Sequence, residues 1–88
     1  MDRRDFLTEK TSPVQTASAS DVTMASLGFQ LAARIYCCGA GTLGIKRAAD
    51  TAFVSYPVSA GQYIDGQILA VGGTSDGTSS GMQWIAEV

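Results

Sequence analysis

Apolar and polar positions alternate through most of the second two thirds of this chain, and the period is two. Leu31, Ala33, Ile35 and Cys37 interleave with Ala32, Arg34, Tyr36 and Cys38, the spacing of a strand with two distinct faces. Gly39-Ala40-Gly41 breaks that run. Leu43 and Ile45 then alternate with Gly44 and Lys46, predicting a second strand folded back on the first as a hairpin. Ala49-Asp50 reads as a turn, and residues 51–56 are rich in β-branched and aromatic side chains. Pro57 and Gly61 should close that strand. Residues 67–71 are nearly all apolar, as in a strand buried on both faces. Residues 72–81 contain mainly Gly, Ser and Thr, which predicts an exposed, mobile loop. Met82, Trp84, Ala86 and Val88 finally alternate with Gln83, Ile85 and Glu87. Five or six short strands separated by glycine-rich turns predict an all-β domain, a small antiparallel β-sandwich or barrel over residues 30–88.

The first part of the chain has no such pattern. Residues 1–23 read as an extended N-terminal arm, charged at its start and then built of Thr, Ser, Ala and one proline. A short helix over 21–28 can begin at Ser20 or Asp21 and carry Met24 and Leu27, although Gly28 weakens it. Within the arm, Phe6-Leu7 is an apolar pair in a charged setting and is a candidate anchor. A β unit this small buries little apolar surface against its conformational entropy. Oligomerisation or docking on a larger structure is therefore expected to supply stability.

Charge sharpens this picture. The chain has 88 residues, with 6 Lys+Arg against 8 Asp+Glu, no His and a charged fraction of 16%. Asp2, Asp5 and Glu9 balance Arg3, Arg4 and Lys10 in the arm. The rest holds Arg34, Lys46 and Arg47 against Asp21, Asp50, Asp65, Asp76 and Glu87, which accounts for the net −2. Three dispersed cations cannot form a phosphate-tracking stripe, so nucleic acid is not an expected partner. Arg3-Arg4-Asp5-Phe6-Leu7 has the spelling of a twin-arginine export signal, but polar residues follow where an apolar segment is required. Residues 24–38 are interrupted by Gln30 and Arg34, so no membrane span is expected.

Candidate chemistry is sparse. Without histidine there is no His general base or His metal ligand. Gly39-Ala40-Gly41-Thr42-Leu43-Gly44 matches the G-x-G-x-x-G spelling of a dinucleotide loop, with Asp65 at a suitable distance. The segment after Gly44 is too short for the crossover helix, and a glycine-rich hairpin turn is the better reading. Cys37 and Cys38 are adjacent in a predicted strand, so their thiols point apart and do not chelate one ion. They read as small apolar residues of a reducing compartment. Residues 73–81 lack the lysine of a phosphate loop. Asp50, Asp65 and Asp76 are expected in turns as caps. No enzymatic activity, no cofactor and no metal is predicted. Tyr36 and Trp84 are the large amphipathic side chains suited to an interface, with core packing the stronger expectation for Trp84.

Five segments in order also carry a family resemblance. They are Ala33-Arg34-Ile35-Tyr36, Gly39-Ala40-Gly41, Asp50-Thr51-Ala52-Phe53, Pro57-Val58-Ser59-Ala60-Gly61-Gln62 and Ala70-Val71-Gly72-Gly73-Thr74-Ser75. This succession resembles small virion proteins of tailed bacteriophages and gene transfer agents, of the head spike-base or capsid-decoration type. It spans about residues 20–85 and rests on turn residues and strand patterning. Two features depart from the family pattern: 67–70 lack its arginines, and Cys37-Cys38 replaces a Val-Gly type step. The resemblance implies a non-enzymatic structural protein, present in many copies on a virion and assembled in the host cytoplasm. Its implied partners are the major capsid protein or other virion proteins, further copies of itself and a fibre or spike. Phe6 and Leu7 would then dock on a neighbouring coat subunit, and Arg34 and Tyr36 would lie at inter-subunit contacts. Two alternatives remain open: a tail or neck component, and an intracellular β-barrel module that binds a peptide or protein at an open sheet edge.

Overall fold

A computed structural model describes residues 11–88. Its strands are β1 (Gln15–Thr16), β2 (Val22–Thr23), β3 (Ala32–Cys37), β4 (Gly41–Arg47), β5 (Val54–Val58), β6 (Tyr63–Val71) and β7 (Gln83–Glu87). They form one antiparallel sheet in the order β1-β7-β3-β6-β4-β5, with β2 pairing β6 beside that path. The all-β class read from the sequence holds. The sheet has two ends, β1 and β5, and does not close into a barrel.

Ile35, Cys37, Leu43, Ile45, Ile64, Ile68, Trp84 and Ala86 are all buried in one core, to which Met24 and Met82 contribute from outside the strands. Trp84 is the largest fully buried side chain, at 1% exposure. Burial of each large apolar side chain contributes about 1.5–3 kcal/mol.

Four expectations need correction. The predicted hairpin across Gly39-Ala40-Gly41 does not form: β3 pairs with β6 and β7, whereas β4 pairs with β5 and β6. Both edges of β3 are already occupied, and β6 lies between β3 and β4. The strand predicted to end before Pro57 instead continues to Val58, with Pro57 opposite Thr42. Proline is tolerated there because β5 is an edge strand.

The third correction concerns β6. It begins at Tyr63, and Leu69 on it is 36% exposed, so one of its faces meets solvent. It is irregular in two places. Ala32 pairs with Ile68 and Arg34 with Asp65, so an extra residue lies on the β6 side. Lys46 pairs with Ala70 and Arg47 with Ile68, so Leu69 is also extra. Gly66, at φ 127°, lies in the first irregularity, where a side chain would be strained. The buried positions of β3 are consequently Ala32, Ile35 and Cys37. Ala33 is exposed, and the simple alternation from Leu31 holds only from Ile35 onward.

The fourth correction is the loop over 72–81, which is not simply exposed. Gly72, Gly73 and Thr78 are buried. The Gly44 N–H donates to Thr78 Oγ1 at 2.9 Å, and the Thr42 N–H donates to Ser79 Oγ at 2.9 Å. The Ser79 N–H in turn donates to the Thr42 carbonyl at 3.0 Å. Hydroxyls and backbone of this loop thus occupy backbone groups of β4 beyond its pairing with β6.

Part of the expected arm is stitched into the sheet. Thr11 bridges Glu87, β1 pairs Gln15 with Trp84, and β2 pairs Val22 with Val71. The predicted helix over 21–28 is reduced to one 3-10 turn, Met24–Leu27, capped by the Thr23 hydroxyl and stopped at Gly28 with φ 87°.

Candidate interaction face

In an antiparallel sheet, side chains directly opposite one another share a face. Glu87, Arg34 and Asp65 form one such row across β7, β3 and β6. Ile85, Tyr36 and Tyr63 form the next. Both rows lie on the face opposite Ile35, Cys37 and Trp84. The Arg34 Nε–H donates to Glu87 Oε1 at 2.7 Å, and the Arg34 guanidinium lies 4.8 Å from the centre of the Tyr63 ring. The Tyr36 and Tyr63 rings meet edge to face, 5.1 Å apart at 61°. Tyr63 remains 44% exposed in this arrangement.

Among the described residues, the other two cations, Lys46 and Arg47, are also held over rings. Lys46 Nζ lies 5.9 Å from the Phe53 ring centre. Arg47 donates to the Tyr56 hydroxyl at 2.6 Å and to the Asp65 carbonyl at 2.8 Å. Its guanidinium stands 5.2 Å from the Tyr56 ring. Such contacts contribute about 0.5–1 kcal/mol each at exposed sites. They also fix where the few charges of the body point.

Among the predicted site residues, the structure brings Arg34 and Tyr36 together on the outer face. Trp84 is on the other face, inside the core, which corrects its assignment to an interface. Phe6 and Leu7 lie outside the described residues. Tyr63, Asp65, Ile85 and Glu87 complete the face and were missed. The signal for Tyr63 and Asp65 was present in the alternation of Tyr63, Asp65, Gln67 and Leu69, and that for Ile85 and Glu87 in their alternation with Trp84 and Ala86.

Only Gly39 and Ala40 of the G-x-G-x-x-G run lie in the bend after β3, and no hairpin forms there. Gly41 and Gly44 lie within β4, where the absence of a side chain admits Ser79 beside Gly41 and the Asp76 carbonyl beside Gly44. Asp50 does act in a turn, accepting from the Arg47 N–H at 2.9 Å. Asp65 instead lies in β6. Asp76 is drawn to Asp21: a side-chain hydrogen bond between them, then desolvation and charge repulsion, raises the Asp76 carboxyl above its ordinary value. Asp21 Oδ1 meanwhile accepts from the Gly73 N–H at 2.8 Å, tying the arm to the loop. Cys37 is buried and Cys38 partly so, with no disulfide between them. Among the described residues no three Cys, Asp or Glu side chains converge as a metal site. No helix there is long and apolar enough to cross a membrane. No family model, curated protein or solved structure matches the chain.

Proposed function

We propose that this protein is a structural component of a tailed-phage particle, a non-enzymatic capsid-decoration or spike-base protein that assembles in many copies on the particle surface. The observation that carries the reading is the outer face of the sheet. Arg34, Tyr36 and Tyr63 form a partly exposed aromatic and cationic cluster, with Ile85 opposite Tyr36 on β7. Tyr and Arg are the residue types enriched where protein interfaces concentrate their binding energy. The body around this cluster has few charges, and the arm adds a strand to the sheet edge. Other copies of the chain and a coat subunit are the partners this surface would take.

The test is sedimentation of the purified protein with particles that lack it, together with its mass in solution. Oligomers that co-sediment with particles support the reading. A stable monomer that stays in the supernatant overturns it. A second reading, a module that binds an extended peptide, is favoured by β5. Its outer edge has no strand partner among the described residues, and Val54–Val58 has no charge to discourage pairing. In that case, β5 amides would gain protection when the peptide binds.

A further inference from the structure

We propose that the cleft beside Val88, lined by Gly28, Phe29, Gln30, Leu31 and Val88, is the docking site for the Phe6-Leu7 pair of the same chain. The cleft is open to solvent and has a volume of about 370 Å³. Phe29 and Leu31 are half-buried in its wall, and Val88 is 44% exposed beside them.

The cleft exists for a topological reason. The 3-10 turn ends at Gly28, and the Phe29 N–H donates back to the Met24 carbonyl at 2.9 Å. From there the chain runs toward β3, but β3 pairs with β7 only from Arg34 onward. Residues 29–31 therefore pass Val88 with that edge uncovered among the described residues. Their apolar side chains have only part of their surface covered.

The start of the chain is aimed at this place. Thr11 bridges Glu87, and the Ser12 N–H donates to the Ala86 carbonyl at 2.8 Å. Because the pairing is antiparallel, the N-terminal side of Thr11 faces the Val88 end of β7. Leu7 and Phe6 stand four and five positions before Thr11. At about 3.3 Å per extended residue they can reach roughly 13–17 Å, against about 10 Å for the two strand spacings between the arm side of β7 and its β3 side. Between Asp2 and Thr11 the other residues are charged or Thr8, so this pair is the apolar part of the segment. Attachment to the same chain gives it an effective concentration on the order of millimolar, above that of a second copy at micromolar protein. The proposal does not rest on the virion reading.

The experiment compares amide and methyl NMR spectra of the full chain and of the F6S/L7S double variant. Both changes precede the sheet, and unchanged β4 and β5 signals establish that the variant is folded. The expected result is movement of the Phe29, Leu31 and Val88 signals with loss of contacts between the Leu7 methyls and the Phe29 ring. A converse variant, L31S, should move the Phe6 and Leu7 signals. A mixture of isotope-labelled and unlabelled chains locates the donor. Contacts within one chain support the proposal, whereas contacts between chains assign the pair to a second copy and overturn it. Cleft signals that do not respond to F6S/L7S overturn it as well.

Discussion

Replacing glycine by alanine should have three different outcomes in this protein, set by what surrounds each α-carbon. At Gly39 a methyl group meets nothing within 4 Å, so Gly39→Ala should stay within about 0.5 kcal/mol of the parent. Gly28 is equally open but has φ 87°, and Gly28→Ala should cost about 1 kcal/mol. At Gly73 the added carbon would stand 2.6 Å from the carbonyls of Ser18, Ala19 and Ser20, so about 1–3 kcal/mol should be lost. Urea midpoints should fall in that order, and a reversed order would contradict the packing of loop against arm. Thr78 offers a second test. It is 4% exposed and its hydroxyl accepts from Gly44. Thr78→Val should cost about 1–3 kcal/mol by leaving that amide unsatisfied, whereas Thr78→Ser keeps the acceptor. Amide exchange at Gly44 reads the difference directly.

Cys37 and Cys38 should separate by reactivity. Burial first, and the neighbouring Cys38 second, raises the Cys37 thiol above its reference of 9.0. The fold thus favours the neutral thiol. That contribution is fully present below about pH 9 and is lost as pH rises through the higher folded value. A thiol reagent at pH 8 should label Cys38 in the native state and Cys37 only on unfolding. In a folded Cys37→Ala variant, the decline of stability above about pH 9 should be shallower, which denaturant titration at several pH values would measure.

The elements differ in how much each residue pattern reveals. Met82, Trp84 and Ala86 alternate cleanly because β7 is regular and has one face in the core and the other in solvent. β3 and β6 defeat the same rule. The extra residues lie on β6 and break the alternation of β3, and a bulge depends on the partner strand rather than on local sequence. The arm was illegible for a related reason. Ser12 anchors it through backbone pairing and through its hydroxyl, which accepts from the Ala86 N–H at 2.9 Å. Neither requires apolar periodicity. Ser12→Ala should leave that buried N–H without its partner and cost about 1–3 kcal/mol. Hydrogen exchange should accelerate at Ala86 while β4 and β5 amides keep their rates; equal acceleration everywhere would show that the arm has no local role.

Across the whole molecule, the sheet has two differently used faces. Trp84→Ala should cost about 3–5 kcal/mol, because it empties the core. Arg34→Ser combined with Tyr63→Ser should cost about 1–3 kcal/mol, since the ion pair with Glu87 is part-buried and the Tyr63 ring contact is exposed. The same double change should weaken self-association or particle binding several-fold, measured by sedimentation. If binding is unchanged while stability falls steeply, the outer cluster serves the fold and the proposed function loses its support. The loose clusters of Tyr36, Tyr63 and Arg34 could not be assembled from sequence, because their partners are 27 to 53 positions apart along the chain.

The amino-acid sequence by itself determined the class of structure and most of the core. Period-two alternation, β-branched residues and frequent glycines permit strands and little else. Strand order, the bulges of β6, the packing of loop 72–81 on β4 and the incorporation of residues 11–23 were decided only in the tertiary structure. Each depends on which backbone donors and acceptors are still free once other strands have paired, and that condition has no local signature. The outer face belongs to the same category. Arg34 and Tyr36 stand two positions apart in the sequence, but pairing with β6 and β7 is what adds Tyr63 and Glu87 and makes them one surface.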